Sequence, residues 1–190
     1  MEIEESNRVV LVSVLISLIV VLGSLGAIYL RNGGFGGLEG DSEHKTFESE
    51  RFGFSLSYPS DWILENSSGD GFMEISLLEN TGSDRIRATG NGYVGELGYP
   101  SLEEFEERIN QDLENDENLE KVGEIRNVTK RGESGKEVTF RSFGDNVIYG
   151  RIRLIKVENV DYIMNLYVLE EFFDDFESDI DLIMETFGPN

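Results

Sequence analysis

The chain has 190 residues and a formal net charge of −22, from 38 acidic and 16 basic side chains. This excess of carboxylates repels nucleic-acid phosphates and anionic membrane surfaces, so we expect no nucleic-acid partner. The absence of cysteine excludes disulfides, thiolate nucleophiles and cysteine-based zinc sites. The acids are spread along a sequence that is 39% hydrophobic and contains 12 Phe, which predicts a folded domain with an acidic, halophilic-type surface.

The first predicted element is an uncharged apolar run at residues 9–30. As a helix it would span about 33 Å, close to the thickness of the hydrocarbon core of a bilayer. A cleaved signal peptide is the alternative, although its apolar core is normally shorter. We therefore predict a single transmembrane helix at 9–30 that anchors the chain, preceded by a short cytoplasmic tail at 1–8.

Residues 31–45 are predicted to be a flexible linker because glycine dominates their first part. Two sequons follow within the next hundred residues, and they make Asn66 and Asn127 possible N-glycosylation sites. Sequons are typical of exported domains. We therefore expect residues 46–190 to form an extracytoplasmic domain of a single-pass protein in the cell membrane.

The domain opens with the stretch RFGFSLSYPSDW at residues 51–62. Large apolar side chains alternate there with small ones, which is typical of a strand with one buried face. Pro59 cannot donate to a strand ladder and ends this strand, and Trp62 is predicted to fill the core. Further strands are predicted at 62–64, 72–78 and 86–89, with a loop at 66–71 and a glycine-rich loop from residue 90 to 100.

Two helices and a β-meander are predicted in the second half. Ser101 and Glu104 form a capping box after Pro100, so a helix begins there. A closing helix is predicted at 170–187 because its apolar residues recur at helical spacing. Between the helices, strands are predicted at 121–129, 136–143, 147–157 and 160–169, with hairpin turns at 144–146 and 158–159. This order predicts an α+β fold with an antiparallel β-sheet sandwiched by helices.

The opening motif resembles the start of PsbP-like domains, which have the pattern aromatic-Gly-Phe-x-x-x-Tyr-Pro-x-x-Trp. The residues that match it are Phe52, Gly53, Phe54, Tyr58, Pro59 and Trp62. The stretches SLEEF, GESGKEVTF and YIMNLYV, and a closing helix that ends in Thr186-Phe187, also agree, so the resemblance covers about residues 46–187.

The resemblance implies an antiparallel sheet sandwiched by helices. The best-known PsbP-like proteins are accessory subunits that bind and tune photosynthetic oxygen-evolving complexes, whereas related domains in non-photosynthetic prokaryotes are often membrane-tethered. The predicted anchor at 9–30 departs from the soluble photosynthetic members. We therefore expect the membrane-anchored, non-photosynthetic type, and no cofactor or metal residues are carried over.

Three sequence patterns are partly similar to binding motifs. Residues 90–95 match G-x-G-x-x-G, but a dinucleotide site needs a helix directly after the motif, so we interpret this stretch as a glycine-rich loop. His44 is the only histidine, which excludes a multi-histidine metal site, and we expect it to be a solvated linker residue. Acids at alternate positions in 112–116 and 175–179 lack the glycine of a calcium loop and are predicted to be exposed on helices.

These observations favour a protein that is not an enzyme, with no catalytic residues, cofactor or metal site. We expect a non-catalytic, membrane-tethered extracytoplasmic binding or assembly module whose partner is a membrane-associated protein, because a tether raises the local concentration of other membrane components. Two alternatives stay open. One is a hydrolase of envelope polymers that uses a carboxylate pair, and the other is an extracytoplasmic ligand-binding sensor domain.

Overall fold

The computed structural model describes residues 43–80, 86–98 and 101–190. The predicted tail at 1–8, the transmembrane helix at 9–30 and most of the predicted linker lie outside these residues. Among the residues described, no helix is both long enough and apolar enough to cross a membrane.

The described part of the chain consists mostly of antiparallel strands with two α-helices, which confirms the predicted α+β class. The helices are α1 (Leu102–Asn115) and α2 (Phe173–Thr186), and a 3-10 turn at Glu170–Phe172 leads into α2. The strands are β1 (His44–Ser49), β2 (Phe54–Pro59), β3 (Ile63–Ser68), β4 (Phe72–Leu78), β5 (Ala88–Gly95), β6 (Leu119–Lys121), β7 (Arg126–Lys130), β8 (Glu133–Phe143), β9 (Val147–Val157), β10 (Val160–Leu169) and β11 (Gly188–Pro189).

The strands form two sheets. The large sheet has eight strands in the order β3-β4-β5-β10-β9-β8-β6, with β7 also paired to β8, and the small sheet has the order β1-β2-β11. The hairpins β8–β9 and β9–β10 turn at the predicted positions. The small sheet was not predicted, because β1 is polar and β11 has only two residues.

The two helices lie on opposite faces of the large sheet. Lys136 of β8 forms an ion pair with Glu106 of α1. The next residue, Glu137, forms an ion pair with Arg153, and Arg153 donates to the carbonyl of Met184 in α2. Because neighbouring residues of a strand point to opposite faces, α1 and α2 must cover different faces. This arrangement agrees with the predicted sandwich.

The main core lies between α2, β2 and the centre of the large sheet. Phe54 and Leu56 of β2 are completely buried, as the alternating pattern predicted, whereas Phe52 precedes the strand and Tyr58 is half-buried. Trp62 is 2% exposed and packs edge-on against Phe176 of α2, with ring centroids 6.1 Å apart. The prediction that Trp62 fills the core is confirmed. The other members of this core include Ile75, Leu77, Val94, Met164, Leu166, Ile180, Ile183, Met184 and Phe187.

The prediction of a glycine-rich loop from residue 90 to 100 was wrong, because residues 90–95 belong to β5. A Cβ on Gly90 would lie 2.3 Å from Leu166 Cδ2, and a Cβ on Gly92 would lie 2.9 Å from Met164 Cε. These glycines give space to large side chains of β10, so the glycine spacing reflects sheet packing. This placement also rules out the dinucleotide interpretation, because β5 continues through the motif.

Other boundaries also differ from the prediction, and β8 for example begins at Glu133 instead of residue 136. Strand β1 begins at His44, inside the predicted linker, and β3 continues to Ser68 through the predicted loop at 66–71. The predicted strand at 121–129 is divided into β6 and β7 because Gly123 between them has a φ of 76°. Strands β1 and β3 include polar residues because pairing with β2 and β4 outweighs local polarity.

Candidate functional site

The face of the large sheet that points towards α1 changes character from one side to the other. On β8 and β9, next to α1, it carries the buried side chains of Val138, Phe140, Ile152 and Leu154. On β3, β4 and β5 the same face is mostly polar. Its polar residues are Glu65, Ser67, Glu74, Ser76, Thr89, Asn91 and Tyr93.

A row of small polar side chains crosses the middle of this face. Register places Ser76 of β4 opposite Asn91 of β5, and Asn91 opposite Asn165 of β10. Ser76 Oγ donates to Asn91 Oδ1 over 3.4 Å. Asn165 is 2% exposed, and its buried Oδ1 atom has no hydrogen-bond partner among the described residues. Leaving a buried acceptor unpaired costs about 1–3 kcal/mol, so a donor at this position would be stabilising.

Two tyrosines flank the row. Tyr93 lies one step along β5, and its hydroxyl donates to Glu74 Oε1 over 3.4 Å. Burial, followed by the charge of Glu74 and this hydrogen bond, raises the pKa of Tyr93 to about 12. Burial, with a smaller contribution from Tyr93, also raises the pKa of Tyr167. Tyr93 therefore lies in the electrostatic surroundings of Tyr167.

We call Glu74, Ser76, Asn91, Tyr93, Asn165 and Tyr167 the polar cluster. Tyr167 is held in place by Phe140, whose ring it meets edge-on with centroids 6.3 Å apart. The cluster offers carboxylate, hydroxyl and amide oxygens, and its asparagine pair lies in the row between the two tyrosines. Such a set can accept hydrogen bonds from a ligand.

Two exposed apolar side chains stand at opposite ends of the β3–β4 hairpin on the same face. Ile63 is 37% exposed and Phe72 is 45% exposed. The ring of Phe72 lies against Gly69, where a Cβ would come within 2.7 Å of Phe72 Cε1. Only a residue without a side chain fits beside the ring at this position. Together with the polar cluster, Ile63 and Phe72 form what we call the hairpin face.

The predicted glycosylation residues lie in strands. Asn66 is in β3 and Asn127 is in β7, and both are exposed. Their side chains are accessible in the described domain, and their use as glycosylation sites stays a prediction.

His44 is not a linker residue, contrary to the prediction, although it is exposed. It begins β1, near Asp61 of the β2–β3 turn and Asp179 of α2. Burial and then the charge of Asp61 raise the pKa of Asp179, whereas His44 lowers it. Strand β1 was not predicted, because nearly all of its outward side chains are polar.

The alternate acids lie on or at the ends of helices, as predicted, but Asp112 and Asp179 are half-buried and not exposed. Residues 112 and 114 are in α1, residue 116 is its C-cap, and residues 175–179 are in α2. Among residues 43–80, 86–98 and 101–190, no group of three or more His, Asp or Glu side chains is arranged to hold a metal ion.

Sequence reasoning missed the polar cluster. Asn91 was not identified because residues 90–100 were predicted to be a glycine-rich loop. Asn165 lies inside the correctly predicted strand at 160–169, where a buried asparagine among apolar residues was the available signal. The cluster becomes visible only when register places β4, β5 and β10 side by side.

Comparison with known proteins supports the fold described above. A family model described as PsbP-like protein matches residues 8–188. The fold is similar to that of the cyanobacterial PsbP protein CyanoP from Synechocystis sp. PCC 6803, with a TM-score of 0.57, 16% identity, and coverage of 83% of this chain and 99% of that one.

Two further solved structures share the fold. One is a Pseudomonas aeruginosa protein of unknown function described as a putative regulator, with a TM-score of 0.51, 12% identity, and coverage of 78% of this chain and 99% of that one. The other is the Saccharomyces cerevisiae Ran-binding protein Mog1p, with a TM-score of 0.52, 10% identity, and coverage of 77% of this chain and 95% of that one. A search of curated proteins found no match. Because the family model spans most of the sequence, this chain belongs to the PsbP-like protein family.

Proposed function

We propose that this protein is a non-catalytic binding or assembly module, held at the membrane by residues 9–30, with the domain at 46–190 outside the cytoplasm. The observation that carries the proposal is the hairpin face. It combines two exposed large apolar side chains, Ile63 and Phe72, with a buried acceptor on Asn165 that has no partner. Protein interfaces typically combine aromatic anchors with polar groups that the partner completes.

Family membership supports this proposal. The family's photosynthetic members bind a larger assembly, and a Ran-binding protein that shares the fold is named for binding another protein. The predicted linker at 31–45 would have an r.m.s. span of about 20 Å, which keeps the domain close to the membrane. A membrane-associated protein is therefore the partner that the tether favours, because the tether raises its effective concentration.

The proposal is tested by capturing the tagged full-length chain from the membranes of cells that express it. Phe72→Ser removes an apolar contact from the hairpin face. Phe143→Ser is the matched control, because Phe143 is 41% exposed and lies at the β8–β9 hairpin. We expect one membrane protein to be recovered repeatedly, at least about tenfold less with Phe72→Ser, and unchanged with Phe143→Ser. Equal recovery with all three chains contradicts a role for the hairpin face.

The placement of the domain is tested separately with protease added to intact cells. A domain outside the cytoplasm is digested while a cytoplasmic marker stays whole. If the domain is protected until the cells are opened, the proposed orientation is wrong.

A further inference from the structure

We propose that the polar cluster binds an organic cation, namely an alkylammonium or guanidinium group of the kind found on lysine and arginine side chains. This inference rests on the proposed function, since it names the chemical group that the hairpin face takes from its partner. Four features of the cluster lead to it: unpaired acceptors, charge, aromatic walls and the small number of carboxylates.

The first feature is the supply of acceptors. Asn165 is 2% exposed, and no residue that the structure describes donates a hydrogen bond to its Oδ1 atom. On the next row, Glu74 accepts from the Tyr93 hydroxyl at the long distance of 3.4 Å. A carboxylate has about four lone-pair sites and an amide oxygen has two, so most of this capacity is open to a ligand. A group that donates several hydrogen bonds would satisfy these acceptors.

The second feature is the charge of the surroundings. The cluster has no basic member, and Glu74 gives it a carboxylate. On helix α1, Arg108 Nη2 lies 3.8 Å from Glu104 Oε1, in an i,i+4 pair. Burial raises the pKa of Asp112 on the same helix, and the charge of Arg108 lowers it. The charge of Arg108 is therefore shared with two carboxylates of its own helix. An anionic ligand would be repelled here, whereas a cation would be attracted.

The third feature is the pair of aromatic rings. Register places Tyr93 and Tyr167 on neighbouring strands, one row to either side of the Asn91–Asn165 pair. A cation that reaches the asparagine pair would therefore lie between two tyrosines. The faces of aromatic rings attract ammonium and guanidinium groups, and this attraction increases when the site excludes water.

The fourth feature separates an organic cation from a metal ion. Glu74 is the one carboxylate of the cluster, and hard metal ions such as Ca²⁺ require six to eight oxygen ligands, several of them carboxylates. None of the described residues form a group of three or more acids or histidines suited to a metal. A ligand that donates hydrogen bonds and also stacks on tyrosine fits the cluster better.

The test uses the full-length chain in detergent micelles and butylammonium as the probe, with butyrate at equal ionic strength as the control. The side-chain amide signals of Asn91 and Asn165 are followed by NMR. We expect both signals to shift saturably with butylammonium, with a Kd of roughly millimolar order for so small a ligand. No saturable shift, or an equal shift with butyrate, overturns the inference.

Two variants make the test specific. Glu74→Gln keeps the shape of the side chain but removes its charge, and we expect it to weaken butylammonium binding at least about tenfold. Glu65→Gln is the matched control, because Glu65 is an exposed carboxylate on the same face one strand away from Glu74. We expect it to change the Kd less than about twofold. Equal losses in the two variants would show that general surface charge attracts the probe, and this contradicts a built site.

A third variant keeps the test decisive if Glu74→Gln destabilises the fold. Asn165→Asp has nearly the same shape and places a negative charge at the unpaired acceptor. We expect it to tighten butylammonium binding and to gain thermal stability from the probe. Unchanged or weaker binding by folded Asn165→Asp contradicts the inference.

Two further comparisons identify the source of the cation. A blocked Gly-Lys-Gly peptide is compared with a Gly-norleucine-Gly peptide, and Glu74→Gln is compared with the native chain in the membrane capture. If the lysine peptide binds and Glu74→Gln reduces partner capture, the cation belongs to the partner protein. If butylammonium binds but capture is unchanged, the cluster takes a free amine. If Phe72→Ser leaves partner capture unchanged while butylammonium still binds, the result contradicts the proposed function and not the cation site.

Discussion

Arg153 of β9 donates from Nε to Glu137 Oε2 over 2.7 Å, so a buried carboxylate and a nearly buried guanidinium form an ion pair inside the fold. Glu137 also accepts from Arg126 of β7, and Arg153 also donates to the carbonyl of Met184 in the last turn of α2. Helix α2 has no basic residue in its own last turn. Arg153 therefore supplies the positive charge that the carboxyl end of a helix favours.

This pair predicts a large loss of stability when Glu137 is removed. Glu137→Ala leaves the charge of Arg153 without its buried partner, and such losses are about 3–5 kcal/mol. The control is Glu120→Ala, because Glu120 is 56% exposed and lies 3.8 Å from Arg141. It should cost about 0–1 kcal/mol. Urea unfolding of the full-length chain measures both, and similar losses would contradict the structural role of Glu137.

The glycines of β5 predict a second effect on stability. Gly90→Ala places a methyl group 2.3 Å from Leu166 Cδ2 and should cost about 1–3 kcal/mol through overpacking. Gly92→Ala should cost less, because the nearest atom is the flexible end of Met164. Gly144→Ala is the control, since its nearest neighbour lies 3.9 Å away. Thermal unfolding ranks the three variants, and a loss for Gly144→Ala as large as for Gly90→Ala would show that the packing argument is wrong.

These glycines show what could be predicted from the sequence and what could not. Strands β4, β9 and β10 were predicted with their observed bounds, because side-chain alternation is local. The conformation of residues 90–95 depends on Leu166 and Met164, more than seventy positions away, and only tertiary packing reveals it. The polar cluster was beyond prediction for the same reason, because it depends on strand register.

Trp62 allows a direct optical measurement of the core. It is 2% exposed, so acrylamide should quench its fluorescence much less in the folded chain than in urea. Phe176→Ala removes the ring that meets Trp62 edge-on and should cost about 3–5 kcal/mol while increasing the quenching. Strong quenching of folded native protein would contradict the burial of Trp62.

The raised pKa of Tyr93 predicts a loss of stability at alkaline pH. The unfolded chain releases this proton near pH 10, whereas the folded chain holds it to about 12. The contribution of Tyr93 is therefore fully present below pH 10 and is lost as the pH rises towards 12.

Urea unfolding between pH 9 and about 12 should show a smaller decline for Tyr93→Phe than for the native chain. Glu74→Gln is the control, because it removes the smaller electrostatic cause and leaves burial in place. Glu74→Gln should bring the pKa of Tyr93 only part of the way back from about 12 towards 10. The absorbance of the phenolate measures this pKa. Identical declines for Tyr93→Phe and native protein would contradict this interpretation.

Photocrosslinking in living cells tests whether the hairpin face binds a membrane-associated protein. A benzophenone amino acid replaces Phe72 in one chain and Phe143 in another, at positions that are 45% and 41% exposed. We expect position 72 to crosslink to one discrete membrane protein, position 143 to give no such crosslink, and Glu74→Gln to weaken the crosslink from position 72. A crosslink from position 143 alone, or the same products from both positions, would contradict it.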